Sequence, residues 1–195
     1  IIIGLSFHEF AHAYAAVKLG DDTPRFQGRL TLDPLKHLDP IGFLCLLFFR
    51  FGWAKPVMIN SRNFKNPRRD DTIVSFAGPL MNFLVAIASL IILRILFELT
   101  PSFIYGKTGG ILVQMIQSVV LINIVLMVFN LIPIPPLDGH HILANIGGYK
   151  VANFYRQYYQ QIRIVLLILI ITGMVSKIIF PVVVFIYNML FSIIF

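Results

Sequence analysis

The chain has 195 residues, of which 57% are hydrophobic and 13% charged, and its formal net charge at pH 7 is +7. Soluble domains carry about 25% charged residues, so this composition and a mean hydropathy of +0.82 predict an integral membrane protein. The single cysteine, Cys45, excludes a disulfide within one chain. No basic-aromatic face or known binding motif accompanies the positive charge, so we expect no nucleic-acid partner.

Apolar stretches predict an all-α polytopic membrane protein with about four to six membrane helices in a single domain, residues 1–195. The stretches that approach the ~20 residues needed to span a bilayer are 1–19, 73–97, 111–132 and 164–195. The last stretch is one long helix or two, because Lys177 and Pro181 interrupt it.

Shorter segments between these stretches have other predicted roles. Residues 41–51 are apolar but too few to cross unaided, so we expect a short re-entrant segment or one packed against protein. A small β element would fit residues 28–32 and 53–59. Residues 142–146 are expected to form a short helix, and residues 149–161, rich in Tyr and Gln, to lie at the interface.

The first apolar stretch carries His8, Glu9 and His12 in the order His-Glu-Phe-Ala-His. Two histidines four residues apart lie on one face of an α-helix because 3.6 residues complete a turn. Both imidazoles can therefore reach one metal ion, with Glu9 beside them as a base. The apolar flanks predict that this metal site lies at membrane depth.

Basic residues orient the chain in the membrane. Residues 18–70 contain ten of them, whereas residues 98–110 contain only Lys107 and residues 133–163 contain three. The positive-inside rule then predicts that 20–70 and 133–163 are cytoplasmic and that 98–110 faces the other side. The charges themselves are interpreted as solvated loops and headgroup contacts.

A catalytic zinc takes three protein ligands and leaves its fourth position to water, so a third ligand is needed. Asp138 is the best candidate, since it follows a proline-rich end of an apolar stretch, where an acidic residue is costly unless it is paired or bound to a cation. The charge map places it on the same side as His12. From the residues alone, His140 and His141 are rival ligands, and Asp138 could instead form a turn or cap the following helix.

Three separated motifs resemble those of the site-2 proteases, a family of intramembrane zinc metalloproteases. The first is His8–His12. The second, Ala-Gly-Pro-Leu-Met-Asn at 77–82, is similar to the family's Gly-Pro-Asn element, and the third, residues 130–139, is similar to its Asn-Pro-Asp-Gly element. Residues 28–40 and 52–57 also resemble compact prokaryotic members. No segment of the 195 residues resembles the PDZ or CBS domains of larger relatives.

The resemblance implies a zinc-dependent intramembrane endopeptidase that cleaves within or next to transmembrane segments. It implies one zinc ion per chain held by His8, His12 and Asp138, with Glu9 as the general base. It supports Asn82 as a residue that holds the substrate backbone or the oxyanion, although an interhelical hydrogen bond is the alternative. Asn130 is a second candidate for a residue that contacts the substrate or the transition state.

The expected partner is the transmembrane helix of a single-pass or previously cleaved membrane protein, within the lipid bilayer. The expected location is a prokaryotic cell membrane, with a multi-pass chain and an active site towards the cytoplasm. A substrate must unwind locally before cleavage, because a helix hides its carbonyls in internal hydrogen bonds. Residues 53–59 would then pair with it as an edge strand, or instead anchor the chain at the interface through Trp53 and Lys55.

Two other classes stay open at this point. A metal transporter needs ionisable groups along the whole bilayer depth, but Arg94, Glu98 and Arg163 lie near the ends of apolar stretches. A catalytically inactive binder of membrane helices would not need Glu9. Iron, cobalt or manganese could replace zinc, although the ligand set suits zinc.

Overall fold

The computed structural model describes residues 1–49 and 52–195. Ten α-helices and one 3-10 turn, Ser61–Asn63, form this part of the molecule, which contains no β-sheet. The helices are α1 (Ile2–Lys18), α2 (Thr23–Phe26), α3 (Pro34–His37), α4 (Pro40–Phe49), α5 (Pro67–Leu99), α6 (Pro101–Ile104), α7 (Lys107–Asn130), α8 (Asp138–Ile146), α9 (Gly148–Ile171) and α10 (Met174–Ile194). The predicted all-α membrane fold is confirmed.

Within the described ranges, three helices are long and apolar enough to cross a membrane: α5, α7 and α10. The site-bearing helix α1 has 17 residues, the lower end of the range of about 17–25 that spans a bilayer. Helix α5 begins at Pro67, ahead of the predicted stretch, because proline lacks an N–H and has a helix-compatible φ that suits the first position of a helix.

The stretch 164–195 forms two helices, and the break is not where the sequence predicted it. Helices α9 and α10 are separated by Thr172 and Gly173, and Gly173 adopts the left-handed conformation with φ 71°. The predicted interruption, Lys177 and Pro181, lies inside α10. Glycine ends a helix in this way at no steric cost, whereas a proline is tolerated inside a membrane helix.

The shorter segments are more helical than predicted. Helix α4 covers most of the apolar segment 41–51 and has ten residues, too few to cross a bilayer; residues 50 and 51 lie outside the described ranges. Helix α8 begins at Asp138, ahead of the helix expected at 142–146. Residues 149–161 belong to α9, which is kinked at Tyr158.

The small β element expected at 28–32 and 53–59 is reduced to one isolated antiparallel bridge between Leu38 and Ala54 in the described residues. Backbone groups of both segments have conformations or hydrogen-bond partners that do not belong to a β-sheet. Gly28 has φ 65°, the Arg29 N–H returns to the carbonyl of Pro24, and the Val57 N–H donates to a side chain. The remaining groups are too few for a ladder.

The core lies where α5, α7 and α10 meet. Its buried side chains are Ala86, Leu90, Val120, Ile124, Val183 and Leu190. Between membrane helices, close van der Waals packing replaces the hydrophobic effect as the source of stability. Helix α1 packs beside this core with a buried face of small residues, namely Gly4, Ser6, Ala11, Ala13 and Ala16, together with His8 and His12. Small side chains let α5 and α7 approach the helix that carries both histidines.

Helix α8 is held in place from both ends. Ahead of it, Leu137 packs against Leu166 and Val175, and Tyr155 donates its hydroxyl proton to the carbonyl of Pro133 over 2.7 Å. Further along, Asn145 donates to Asp71 of α5 over 2.7 Å. These contacts fix the first residue of α8, Asp138, against the α1–α5 pair.

Candidate metal centre

His8, His12 and Asp138 converge on one point. The Nε2 atoms of the two histidines lie 2.9 Å apart. The Asp138 carboxylate faces both rings, with Oδ2 at 3.2 Å from His8 Nε2 and Oδ1 at 3.4 Å from His12 Nε2. One ligand atom from each residue lies within 4.8 Å of the other two. Such a spacing lets a single ion contact all three.

The other nitrogen of each ring is held by an acceptor. His8 Nδ1 lies 2.7 Å from Asn82 Oδ1, and His12 Nδ1 lies 2.7 Å from the carbonyl oxygen of Val74. An acceptor requires the ring proton on Nδ1, so both Nε2 atoms present lone pairs. Two lone pairs and a carboxylate directed at one point repel one another without a cation. The donor set therefore fits a metal such as zinc.

Gly78 of α5 makes room for the two imidazoles. A Cβ atom at this position would lie 2.4 Å from His12 Nε2 and 2.6 Å from His8 Cε1. Both distances are far below van der Waals contact, and the atoms concerned belong to rings that the rest of the site holds in place. Only glycine at position 78 leaves the metal side of α1 open.

Asp138 lies in the first turn of α8. It is partly buried, and its Oδ2 is a buried oxygen without a hydrogen-bond partner among the described residues. Asp138 is thus a carboxylate whose buried oxygen lacks a donor, as a metal ligand requires.

Glu9 lies next to His8 on α1 and contacts the loop that follows α4. Its Oε2 accepts the backbone N–H of Val57 over 2.9 Å. The loop is fixed on both sides of this contact: Lys55 N donates to the His37 carbonyl over 2.8 Å, and Asn60 N donates to Asp21 over 2.7 Å. The segment that sequence analysis predicted as a strand therefore lies against the candidate base.

The two asparagines of the predicted substrate group have different surroundings. Asn82 is fully buried and contacts His8, Gly4 and Asn123 through its amide, so its contacts favour the interhelical alternative. Asn130 is half-buried at the end of α7 and donates to the carbonyl of Leu126 over 3.0 Å. Both substrate roles stay predictions.

The rival ligands His140 and His141 point to other partners. His140 Nδ1 lies 2.6 Å from the carbonyl of Leu137, and its ring packs edge-on against Tyr155. His141 Nδ1 lies 3.5 Å from Asp71 Oδ2. Burial and the nearby His141 lower the pKa of His140. Neither histidine joins the single three-ligand group found in residues 1–49 and 52–195.

Several site contacts were not predicted from the sequence. The Val74 carbonyl and the Val57 N–H are backbone groups. Every residue has a backbone carbonyl and every residue except proline has a backbone N–H, so no sequence pattern marks these two. Asn123 carried a weak signal as an amide inside an apolar helix.

Three apolar helices in the described part of the chain, each long enough to cross a membrane, together with two histidines and an aspartate at one point and a glutamate next to the first histidine, are the features of a membrane-associated metalloprotease. The sequence model of "Peptidase family M50" matches residues 1–171. The chain therefore belongs to peptidase family M50, the family of the site-2 proteases, as the three motifs indicated.

Curated relatives agree with this assignment. The chain is 39% identical over 181 residues to "Putative zinc metalloprotease YwhC" of Bacillus subtilis, an alignment that covers 93% of this chain and 82% of that protein. It is 31% identical over 148 residues to "Putative zinc metalloprotease Rip2" of Mycobacterium tuberculosis, covering 73% of this chain and 53% of Rip2. No solved structure matches the chain.

Proposed function

We propose that this chain is a zinc-dependent intramembrane endopeptidase that hydrolyses peptide bonds within or next to transmembrane segments of other membrane proteins. The observation that carries the proposal is the convergence of His8, His12 and Asp138 on one point. Both histidines lie on α1, which packs against the apolar helices α5 and α7. Family membership and the names of two relatives support the protease class.

His8, His12 and Asp138 would hold one zinc ion. Their ligand atoms are an imidazole nitrogen from each histidine and a carboxylate oxygen, a set that leaves one position of a tetrahedral ion to water or substrate. When bound, zinc supplies Lewis acidity that polarises the scissile carbonyl and makes water a stronger acid. The tautomers fixed by Asn82 and Val74 keep both Nε2 lone pairs available to it.

Glu9 would act as the general base. It accepts the proton of the attacking water and later delivers a proton to the leaving amine. The Val57 N–H that contacts its carboxylate orients the side chain. We expect this hydrogen bond to keep the base directed into the site between turnovers.

The substrate would be a membrane helix that unwinds locally beside residues 53–59. The described residues provide no acceptor for the Met58 N–H, and the Met58 side chain is 62% exposed. A free N–H on an exposed loop can pair with an extended peptide in the manner of β-augmentation. Asn130, half-buried at the end of α7, is our candidate for a contact with the substrate carbonyl.

We further propose a multi-pass position in a prokaryotic cell membrane, with the site towards the cytoplasm. The basic loops on either side of α5 and α7 support this orientation. On this topology, water and the released fragment use the cytoplasmic side, where Asp138 and residues 53–59 lie.

The test compares membrane proteomes of cells that carry the wild-type chain or Glu9→Gln. Glu9→Gln removes the base but retains all three candidate ligands. The matched control is Glu98→Gln, since Glu98 lies at the far end of α5 and its carboxylate pairs with Arg94 at the protein surface. Zinc content of each purified variant is measured in parallel.

We expect single-pass proteins, or their membrane stubs, to accumulate with Glu9→Gln and not with Glu98→Gln, while all variants bind one zinc ion. Identical proteomes from equally expressed, zinc-loaded variants would overturn the protease proposal. Zinc flux into proteoliposomes, unchanged by Glu9→Gln, would instead indicate a transporter.

A further inference from the structure

Asn123 of α7 begins a chain of hydrogen bonds that ends on His8. Asn123 is 1% exposed and Asn82 is 0% exposed, so both amides are sealed from solvent inside the helix bundle. Asn82 Nδ2 donates to Asn123 Oδ1 over 3.0 Å and to the carbonyl of Gly4 over 2.9 Å. Asn82 Oδ1 then faces His8 Nδ1 at 2.7 Å. Helices α7, α5 and α1 are thus linked through side-chain amides.

Backbone carbonyls fix the direction of this chain. Asn123 Nδ2 donates to the carbonyl of Val119 over 2.8 Å, and a carbonyl can only accept. Asn123 Oδ1 must therefore face Asn82 as an acceptor. The Gly4 carbonyl places the same demand on the Asn82 amide from α1. Together they leave Asn82 Oδ1 as the only group that can face His8.

The two histidines differ in how securely their tautomers are set. His12 Nδ1 faces the carbonyl of Val74, a backbone acceptor that cannot exchange with a donor. His8 Nδ1 faces a side-chain amide, which would present donors if it rotated by half a turn. A rotated Asn82 would require a lone pair on Nδ1 and a proton on the Nε2 that faces the metal position. His8 is the ligand that needs a further support.

Gly4 provides the space for that support. A Cβ atom at Gly4 would lie 3.0 Å from Asn123 Oδ1 and 2.8 Å from Leu126 Cδ1. With a larger residue at position 4, the side chains of Asn123 and Leu126 would have to move. Gly4 therefore lets α1 and α7 lie close together while Asn123 keeps its hydrogen bond with Asn82.

We propose that Asn123 is a positioning residue of the metal centre: it locks the carboxamide of Asn82 in the orientation that keeps the lone pair of His8 on Nε2. The inference rests on the proposed zinc site and deepens it. Groups that orient a ligating histidine typically change metal affinity by about 10–100-fold when they are removed. Because Asn123 acts through Asn82 and the Gly4 carbonyl still restrains that amide, we expect about a tenfold loss for Asn123.

The experiment measures the zinc dissociation constant by competition with a chromophoric chelator, using the full chain purified in detergent. The variants are Asn123→Leu, Asn82→Leu and the double variant. Asn123→Thr tests rescue, because a threonine hydroxyl can donate to the carbonyl four residues earlier and still accept from Asn82. Gln117→Leu is the control, since Gln117 lies on the same helix outside the amide chain.

We expect zinc binding to weaken about tenfold for Asn123→Leu and less for Asn123→Thr, with no change for Gln117→Leu. In the Asn82→Leu background, Asn123→Leu should cause no additional loss, because its effect passes through Asn82. A purely structural role would instead give additive losses. If the leucine variant does not accumulate, Asn123→Ala is measured alone and in the Asn82→Leu background, with the same expectations.

Two results would contradict the proposals, and they are separable. A wild-type chain that binds no zinc would overturn the proposed function together with this inference. A wild-type chain that binds one zinc ion, with unchanged affinity in Asn123→Leu or additive losses in the double variant, would overturn only the role of Asn123.

Discussion

Val57 donates its backbone N–H to Oε2 of Glu9 over 2.9 Å, across a gap of 48 positions in the chain. The contact joins the candidate base on α1 to a loop that is anchored at His37 on one side and at Asp21 on the other. A hydrogen bond to a charged group contributes about 1.5–3 kcal/mol. The loop is therefore part of the catalytic arrangement that we propose, and a change in its backbone should affect Glu9.

Val57→Pro removes this N–H and should lower the cleavage rate by about tenfold, equivalent to about 1.4 kcal/mol, which is close to the lower limit for one hydrogen bond to a charged group. Cleavage of a reporter membrane protein, normalised to zinc-loaded enzyme, gives the rate. Val57→Ala retains the N–H and is expected to cleave at close to the wild-type rate. Equal rates for the proline and alanine variants would show that Glu9 does not depend on Val57.

Met58→Pro tests pairing with substrate rather than the position of the base. It removes an N–H that has no acceptor in the described part of the chain and leaves the Val57 contact intact. If an extended substrate pairs here, KM should rise by several-fold with little change in kcat, because the lost contact is made with the substrate. Met58→Ala shortens the side chain but keeps the N–H.

Comparing the two Met58 variants separates backbone pairing from side-chain contact. Equal KM values for Met58→Pro, Met58→Ala and wild type, with all three folded, would remove the edge-strand hypothesis. Residues 53–59 would then be interpreted as an interfacial anchor.

Gly78→Ala should abolish stoichiometric zinc binding. The added Cβ would lie 2.4 Å from His12 Nε2 and 2.6 Å from His8 Cε1, so at least one ring must leave its position. Zinc content after size-exclusion chromatography measures the effect. Gly110→Ala is a matched control on α7, since a Cβ there meets nothing within 4 Å; alanine should stabilise that helix by about 0.5–1 kcal/mol. Full zinc content in Gly78→Ala would mean that the rings can rearrange.

Asp21→Ala should lower the free energy of unfolding by at least about 2 kcal/mol, because it removes a buried carboxylate that accepts hydrogen bonds from neutral donors, and one hydrogen bond to a charged group contributes about 1.5–3 kcal/mol. These donors are Thr23, Asn60 and Asn63. Thermal unfolding can be followed through the single tryptophan, Trp53. Asp22→Asn is the control, since the Asp22 side chain pairs with Arg25 at the surface.

The stabilising effect of Asp21 should depend on pH. Burial alone would raise the pKa of Asp21, but hydrogen bonds from Thr23, Asn60 and Asn63 lower it below the ordinary value of 3.8. A lowered folded-state pKa means that the contribution is complete above pH 3.8 and is lost as the pH falls further, through the folded-state value. The difference in Tm between wild type and Asp21→Ala should narrow below pH 3.8. A constant difference would contradict the assignment.

Much of the fold and part of the site follow from local pattern. Apolar runs are sufficient to locate α5 and α7, and the four-residue spacing of His8 and His12 places both rings on one helix face whatever surrounds the helix. Gly173 was missed because Lys177 and Pro181 are the more conspicuous breakers in the sequence. A membrane helix tolerates both, whereas the left-handed backbone between α9 and α10 requires a residue such as glycine.

The long-range part of the site could not be predicted from spacing. Asp138 was one of three candidates until the family motifs were considered, because no periodicity connects residues of α1 and α8. The Val74 carbonyl and the Val57 N–H are hydrogen-bonding groups of the backbone, so their role cannot be predicted from the residue type at either position. Asn123 is visible as a polar residue in an apolar helix, but its partner depends on how three helices pack.

The three candidate ligands are unequally shielded, and this has a consequence for inhibitor design. The side chains of His8 and His12 are only 6% and 8% exposed, whereas that of Asp138 is 19% exposed. A chelating inhibitor would have to approach past Asp138, because the two histidine side chains are almost completely covered by the protein. A slim metal-binding group should therefore inhibit more strongly than a bulky chelator of equal affinity for zinc.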